Sequence, residues 1–179
     1  FSELNQEFVE KSIGLSASEL FKDLSLSQSN IVKIVGAFRK ELINFELKHS
    51  DLYLGVHELL IFLKKNNAIL CIGTNKPKNL AILALKQTGI FKFFDRVVGG
   101  DQISLKPNPD ILHACINSFG NKPKSVWMVG DRVEDMLAAK SAKAIGIGVC
   151  QTNHKSEDLE KAGAEFTYNS ISDFYHDLI

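Results

Sequence analysis

The chain has 179 residues, 45% apolar and 23% charged, enough to bury one sizeable core with a small appended domain. Lysine plus arginine balance aspartate plus glutamate at 21 each, so no overall basic field draws the chain to nucleic acid or an anionic membrane, and any charge-based function must be local. No apolar run approaches the roughly 20 residues of a membrane span. The cysteines, Cys71, Cys115 and Cys150, are odd in number, far apart and set in apolar segments, which suits reduced, buried thiols of a cytoplasmic protein.

The first stretch is helical in pattern and poor in glycine. Helices are expected over 2–14, over 16–24 behind a serine cap, and over 27–49, where Ile31, Ile34, Val35, Phe38, Leu42 and Phe45 recur at three and four. From about residue 53 the grammar changes. Helix 55–67, strand 68–73, helix 77–89, strand 96–100, helix 108–120, strand 125–130, helix 132–142, strand 144–149, helix 156–163, strand 165–169 and helix 170–179 follow one another. Nearly continuous apolar strands alternating with helices predict a three-layer, doubly wound parallel sheet of Rossmann-like α/β type. We place an all-helical domain at 1–52 and the α/β core at 53–179.

In such sheets ligands bind beyond the carboxyl ends of the strands. After strand 68–73 comes Thr74-Asn75-Lys76-Pro77, where Thr74 or Asn75 can cap a helix opened by Pro77 and leave its first N–H groups as an anion seat. Next is Ser104-Leu105-Lys106-Pro107-Asn108-Pro109. Pro107 keeps Lys106 extended, and Asn108-Pro109 reads as a cap with a first-turn proline, so Lys106 sits in a stiff loop at the same edge. A turn lysine is by itself most often a solvated charge. Last is Val129-Gly130-Asp131-Arg132-Val133-Glu134-Asp135. Gly130 permits a tight turn, and Asp131 and Asp135 share a helical face if the helix starts at Asp131. Unpaired carboxylates this close repel, and hard oxygens without a nearby His or Cys favour Mg2+. The alternative is ordinary acidic decoration of a helix start. Taken together, a hydroxyl and amide seat, a fixed lysine and a carboxylate pair on successive strand ends describe a site for a phosphate bound with Mg2+.

These motifs, G-T-N-K-P at 73–77, V-G-G-D at 98–101, K-P-N-P at 106–109 and G-D-R-V-E-D at 130–135, resemble those of the haloacid dehalogenase-like hydrolases. The nearest likeness is to their phosphoglycolate phosphatase-like branch, which carries a helical cap. The resemblance covers essentially the whole chain and implies roles residue by residue. Thr74 and the Asn75 backbone would hold the transferred phosphoryl, and Lys106 would offset the charge of phosphate and nucleophile. Asp131 would bind Mg2+ directly, with Asp135 bracing the coordination. The implied reaction is hydrolysis of a small phosphorylated metabolite through an aspartyl-phosphate. Neither nucleic acid nor membrane is expected as a partner, and monomer and homodimer both remain open.

The departures are informative. The Asp-x-Asp-x-Thr motif that supplies the family's nucleophile occurs nowhere in the chain, which starts at Phe1 and has methionine only at 128 and 136. We therefore expect the nucleophile on a strand upstream of Phe1, lying between strands 68–73 and 125–130. Without it, buried backbone groups on both strands lack partners, at about 1–3 kcal/mol each. Arg132 replaces a small residue, Lys143 stands where a glycine usually ends the helix, and Cys150 to Lys155 lacks a glycine-and-aromatic loop, so phosphoglycolate is a poor candidate substrate. Arg132 and His154 read as bystanders at the pocket's edge. A phosphomutase or pyrophosphatase of the same branch, or a binding module that has lost its nucleophile, are the alternatives.

Overall fold

The computed structural model describes residues 27, 29–34, 36–37, 51–120, 123–151 and 155–179. Two compact units divide the chain, Phe1–Ser50 and Asp51–Ile179. In the first, residues 29–34 and 36–37 are helical. The helices expected at 2–14 and 16–24, most of the one at 27–49, and His154 lie outside the described residues.

The second unit runs α1 (Val56–Lys65), β1 (Cys71–Thr74), α2 (Lys78–Gln87), a 3-10 turn (Phe91–Phe93), β2 (Arg96–Gly99), α3 (Asp110–Ile116), β3 (Trp127–Gly130), α4 (Val133–Ala142), β4 (Ile145–Val149), α5 (Ser156–Ala162), β5 (Ala164–Tyr168) and α6 (Ile171–Asp177). Each α/β element expected from periodicity is present; most are trimmed at their ends, while β1 extends to Thr74 and β5 starts at Ala164. The strand expected from residue 68 begins only at Cys71, because Leu70 closes against Asp95 instead: the Asp95 N–H donates to the Leu70 carbonyl at 2.8 Å, and the Leu70 N–H to Asp95 Oδ2 at 2.8 Å.

All strand pairs are parallel, and they form two sheets, β1-β2 and β3-β4-β5. Among the described residues no ladder joins β1 to β3. Helices cover both faces, and side chains alternate between them as a pleat requires. On one face α1 and α2 pack Leu60, Ala81 and Leu85 against Ile72 and Val97, while Leu59 of α1 and Phe174 of α6 pack on Ile147 of β4. On the other, Ile111 and Cys115 of α3 meet Val98 and Cys71, Leu112 meets Ala138 and Ala139 of α4 and Met128 of β3, and α4 and α5 pack Met136 against Leu159. Adjacent residues of one helix thus serve both sheets: Leu59 and Leu60 on one face, Ile111 and Leu112 on the other. These two helices fasten together two sheets that no ladder joins among the described residues.

The expectation that every strand is apolar on two covered faces fails at β3. Val126 and Met128 are packed under α3 and α4, but Trp127 and Val129 remain 47% and 37% exposed. They point to the opposite face, beside the edge that has no paired strand. The cysteines are free, with Cys115 buried and the other two partly so. The Cys115 thiol donates to the Ile72 carbonyl at 3.8 Å, and the mutual influence of the Cys71 and Cys115 thiols holds Cys71 below the ordinary range and pushes Cys115 above it.

Two positions show where glycine chemistry matters. A Cβ on Gly73 would lie 2.6 Å from Ile111 Cγ2, so the bare backbone is what lets α3 sit down on β1. Lys143 ends α4 in the left-handed region at φ 58°, a conformation in which glycine avoids the steric cost a Cβ incurs.

Candidate active site

The carboxyl ends of β1, β2 and β3 carry the three motifs, and hydrogen bonds from residues distant in sequence tie them together. At the end of β1, Thr74 Oγ1 accepts from the Lys76 N–H at 3.1 Å. Thr74 thus shapes the turn and does not cap α2. Asn75 does not cap it either. α2 begins at Lys78 behind Pro77, and its Lys78 N–H donates to Asp101 Oδ1 at 2.7 Å. The helix start expected as a ready anion seat is therefore already served by a carboxylate from the turn after β2. That turn approaches closely: the Gly100 N–H donates to the Lys76 carbonyl at 3.1 Å, and a Cβ on Gly100 would strike the Asn75 carbonyl. The role of Asp101 was missed in the sequence, since its partner lies 23 residues away. Its only signal was the V-G-G-D motif.

The Asn75 side chain is used on Lys106. The Lys106 N–H donates to Asn75 Oδ1 at 2.8 Å, and Asn75 Nδ2 donates to the Lys106 carbonyl at 3.1 Å. Lys106 is followed by a cis peptide to Pro107. Further on, Asn108 Oδ1 accepts from the Asp110 N–H at 2.9 Å and so caps α3 as expected, with Pro109 in helical conformation.

The Lys106 side chain is not a solvated turn lysine. It is 10% exposed, donates to the Gly73 carbonyl at 2.8 Å, and pairs with Asp135 Oδ1 at 2.6 Å. This one ammonium joins the end of β1 to the start of α4. Two of its three N–H donors are occupied in this way, which leaves a third for a ligand.

Helix α4 starts at Val133, so Asp131 lies before the helix, and the expected shared helical face of Asp131 and Asp135 does not form. Asp135 is instead folded back, 4% exposed, with Oδ2 accepting from the Arg132 N–H at 3.2 Å. A carboxylate there satisfies an orphan donor and faces the positive end of the helix. Gly130 makes room for it: a Cβ at that position would sit 2.6 Å from the Asp135 carboxyl carbon. The turn itself does not need glycine, since Gly130 has no positive φ. Asp131 is half-buried at the end of β3. Arg132 Nε lies 3.4 Å from Glu134 Oε2, which occupies Glu134.

Thr74 ends β1, Asn75, Lys106 and Asp131 follow strands in loops, and Asp135 lies in the first turn of α4; Lys106 directly contacts the Asn75 and Asp135 side chains. Among the described residues no group of three or more His, Cys, Asp or Glu is arranged to hold a metal ion. As a partial donor set, Asp131 and Asp135 suit Mg2+, which takes one or two protein carboxylates and completes its shell with water and phosphate oxygens. Each Asp135 oxygen has a second lone pair beyond the bond it already accepts.

The family model of the haloacid dehalogenase-like hydrolases matches residues 1–149. The chain belongs to the haloacid dehalogenase-like hydrolases. Within that family it is similar to a phosphoglycolate phosphatase of Chromobacterium violaceum, 34% identical over 128 residues, which cover 71% of this chain and 56% of that protein. It is also similar to a pyrophosphatase PpaX of Bacillus velezensis, 31% identical over 92% of this chain and 76% of that one. In structure it resembles a hydrolase from Pseudomonas syringae with a TM-score of 0.81 at 27% identity, covering 98% of this chain and 83% of that one. The two-sheet α/β core is therefore that of the haloacid dehalogenase-like fold.

Proposed function

We propose that the protein is a Mg2+-dependent phosphatase that hydrolyses a small phosphorylated metabolite through an aspartyl-phosphate. The observation that carries this reading is the Lys106 ammonium, buried between the Gly73 carbonyl and Asp135 with one donor to spare. A lysine so held is a fixed point charge, suited to an anion that gains charge during transfer. Thr74 and the Asn75 backbone N–H sit on the adjacent turn and would bind the phosphoryl oxygens. Asp131 would hold Mg2+, with Asp135 supporting it. The metal would neutralise phosphate charge and orient the group for in-line attack. Asp135 has a second task in this arrangement, since it balances the lysine whenever no phosphate is bound.

The nucleophile would be an aspartate on a strand from outside these 179 residues, inserted between β1 and β3. The unladdered edges of the two sheets and the exposed Trp127 and Val129 support that placement. Such a strand would deliver its carboxyl end between Thr74 and Asp131.

A pyrophosphatase is the second reading, favoured by the likeness to PpaX over nearly the whole chain. The deciding experiment assays the full-length protein on p-nitrophenyl phosphate, a panel of sugar and carboxylic acid phosphates, and inorganic pyrophosphate, with Mg2+ and with chelator. Hydrolysis of monoesters only with Mg2+ is expected. Turnover that persists in chelator refutes the metal assignment, and hydrolysis of pyrophosphate alone favours the second reading.

A further inference from the structure

We propose that the Asn75 side chain is a positioning residue that sets Lys106 in place by holding both polar groups of its backbone. This rests on the phosphatase reading above, but it concerns the amide side chain, whereas that reading uses only the backbone of Asn75.

Lys106 lies in the loop between β2 and α3, where no helix or strand ladder fixes the chain. A lysine presents its charge on a flexible four-carbon stem, so its ammonium is only as well placed as its Cα and its terminal contacts allow. The Asn75 amide supplies the missing ladder. Its Oδ1 accepts from the Lys106 N–H at 2.8 Å and its Nδ2 donates to the Lys106 carbonyl at 3.1 Å, both in a partly buried setting. One carboxamide thus pairs with the donor and acceptor of a single residue, as a neighbouring strand would. Only Asn or Gln carries a neutral donor and acceptor side by side, and Asn has the shorter, stiffer reach.

The clamp is itself mounted firmly. Asn75 lies between Thr74, whose hydroxyl takes the Lys76 N–H, and Lys76, whose carbonyl takes the Gly100 N–H. The turn after β2 is in close contact with the Asn75 carbonyl, so the residue has little freedom to follow a drifting loop. With both backbone groups held, Nζ can reach the Gly73 carbonyl and Asp135 at once. Loss of the clamp would let the loop shift by a fraction of its own hydrogen-bond lengths. Displacements near 1 Å in such sites cost on the order of 10²-fold in rate.

The test uses full-length protein, wild type and Asn75→Ala, each with Lys106 and with Lys106→Met. Asn75→Ala keeps the backbone N–H at 75. Hydrogen exchange at the Lys106 amide should be slow in wild type and faster in Asn75→Ala by about tenfold or more, and unchanged protection overturns the proposal whatever the activity. With Lys106 present, Asn75→Ala should lower kcat/KM for p-nitrophenyl phosphate by about 10²-fold. In the Lys106→Met background the same change should alter it less than about twofold, because a residue acting through another loses its effect when that other is gone. Equal losses in both backgrounds would show an independent role and overturn it. If Lys106→Met does not fold, exchange and the kcat loss in the single variant decide. Wild type that hydrolyses no phosphate ester sinks the phosphatase reading, and exchange at Lys106 then still judges the clamp.

Discussion

Lys106 Nζ stands 2.6 Å from Asp135 Oδ1, with side chains 10% and 6% exposed, and this contact links the loop after β2 to the first turn of α4. A buried pair is a weak source of net stability, because both charges were removed from water to form it. Breaking it from one side is another matter. Asp135→Ala strips the lysine of its counter-charge and the Arg132 N–H of its acceptor, and should cost about 3–5 kcal/mol, read from the urea midpoint at constant m-value. Lys106→Met should lose somewhat less, since the Arg132 N–H still satisfies one Asp135 oxygen and the stem retains its packing.

Asp131 is the residue assigned to the metal that lies outside α4, in the turn after β3. Asp131→Asn keeps shape and removes charge. It should abolish Mg2+-dependent hydrolysis of p-nitrophenyl phosphate. Isothermal titration should show Mg2+ binding lost in this variant and weakened in Asp135→Asn. Undiminished Mg2+ binding by Asp131→Asn would remove the residue from the metal's coordination.

Asp95 gives the fold a pH dependence of predictable sign. Desolvation pushes its carboxyl up, but the Leu70 N–H and the Lys64 ammonium, 2.9 Å away, outweigh it and hold the group below the usual carboxylate range. A carboxylate with a lowered folded-state pKa stabilises the fold above its unfolded value, near pH 3.9, and loses that contribution as pH falls through the folded-state value. Asp95→Asn keeps an acceptor for Leu70 and removes the charge. It should cost about 0.5–1 kcal/mol at neutral pH, small because both side chains are about a third exposed. The gap between variant and wild type should close in strongly acidic buffer.

Lys143 at φ 58° carries a Cβ in a left-handed conformation at the end of α4. Lys143→Gly should raise stability by about 1 kcal/mol, the strain removed exceeding the added freedom of the unfolded chain. Thermal unfolding reads this directly, and no change in kcat is expected, since the residue lies at the opposite end of α4 from Asp135.

Much of the site was legible because strand ends are legible. Nearly continuous apolar runs of strand length locate β1 and β3, and the residues at their carboxyl ends, Thr74 and Asp131, follow by counting. Asn108 at the start of α3 was legible for a similar reason, since it caps a group only two residues away. Gly130 was read as a turn former and proves to be a gap for the Asp135 carboxylate, which a list of turn propensities does not contain.

The sequence by itself determined the alternation of helix and strand, the parallel α/β class and the loops that carry polar groups, because these depend on periodicity and on contacts within one or two turns of chain. Only the tertiary structure decided partners. Asn75 pairs with Lys106 across 31 residues when a local reading makes it a helix cap. Asp101 caps a helix that begins 23 residues earlier. Lys106 is a buried charge because Gly73 and Asp135 come to it, and nothing in the residues beside it requires that. A hydrogen bond or ion pair is chosen by which groups packing brings within about 3 Å and shields from water, and that distance is a property of how α3 and α4 settle on the two sheets.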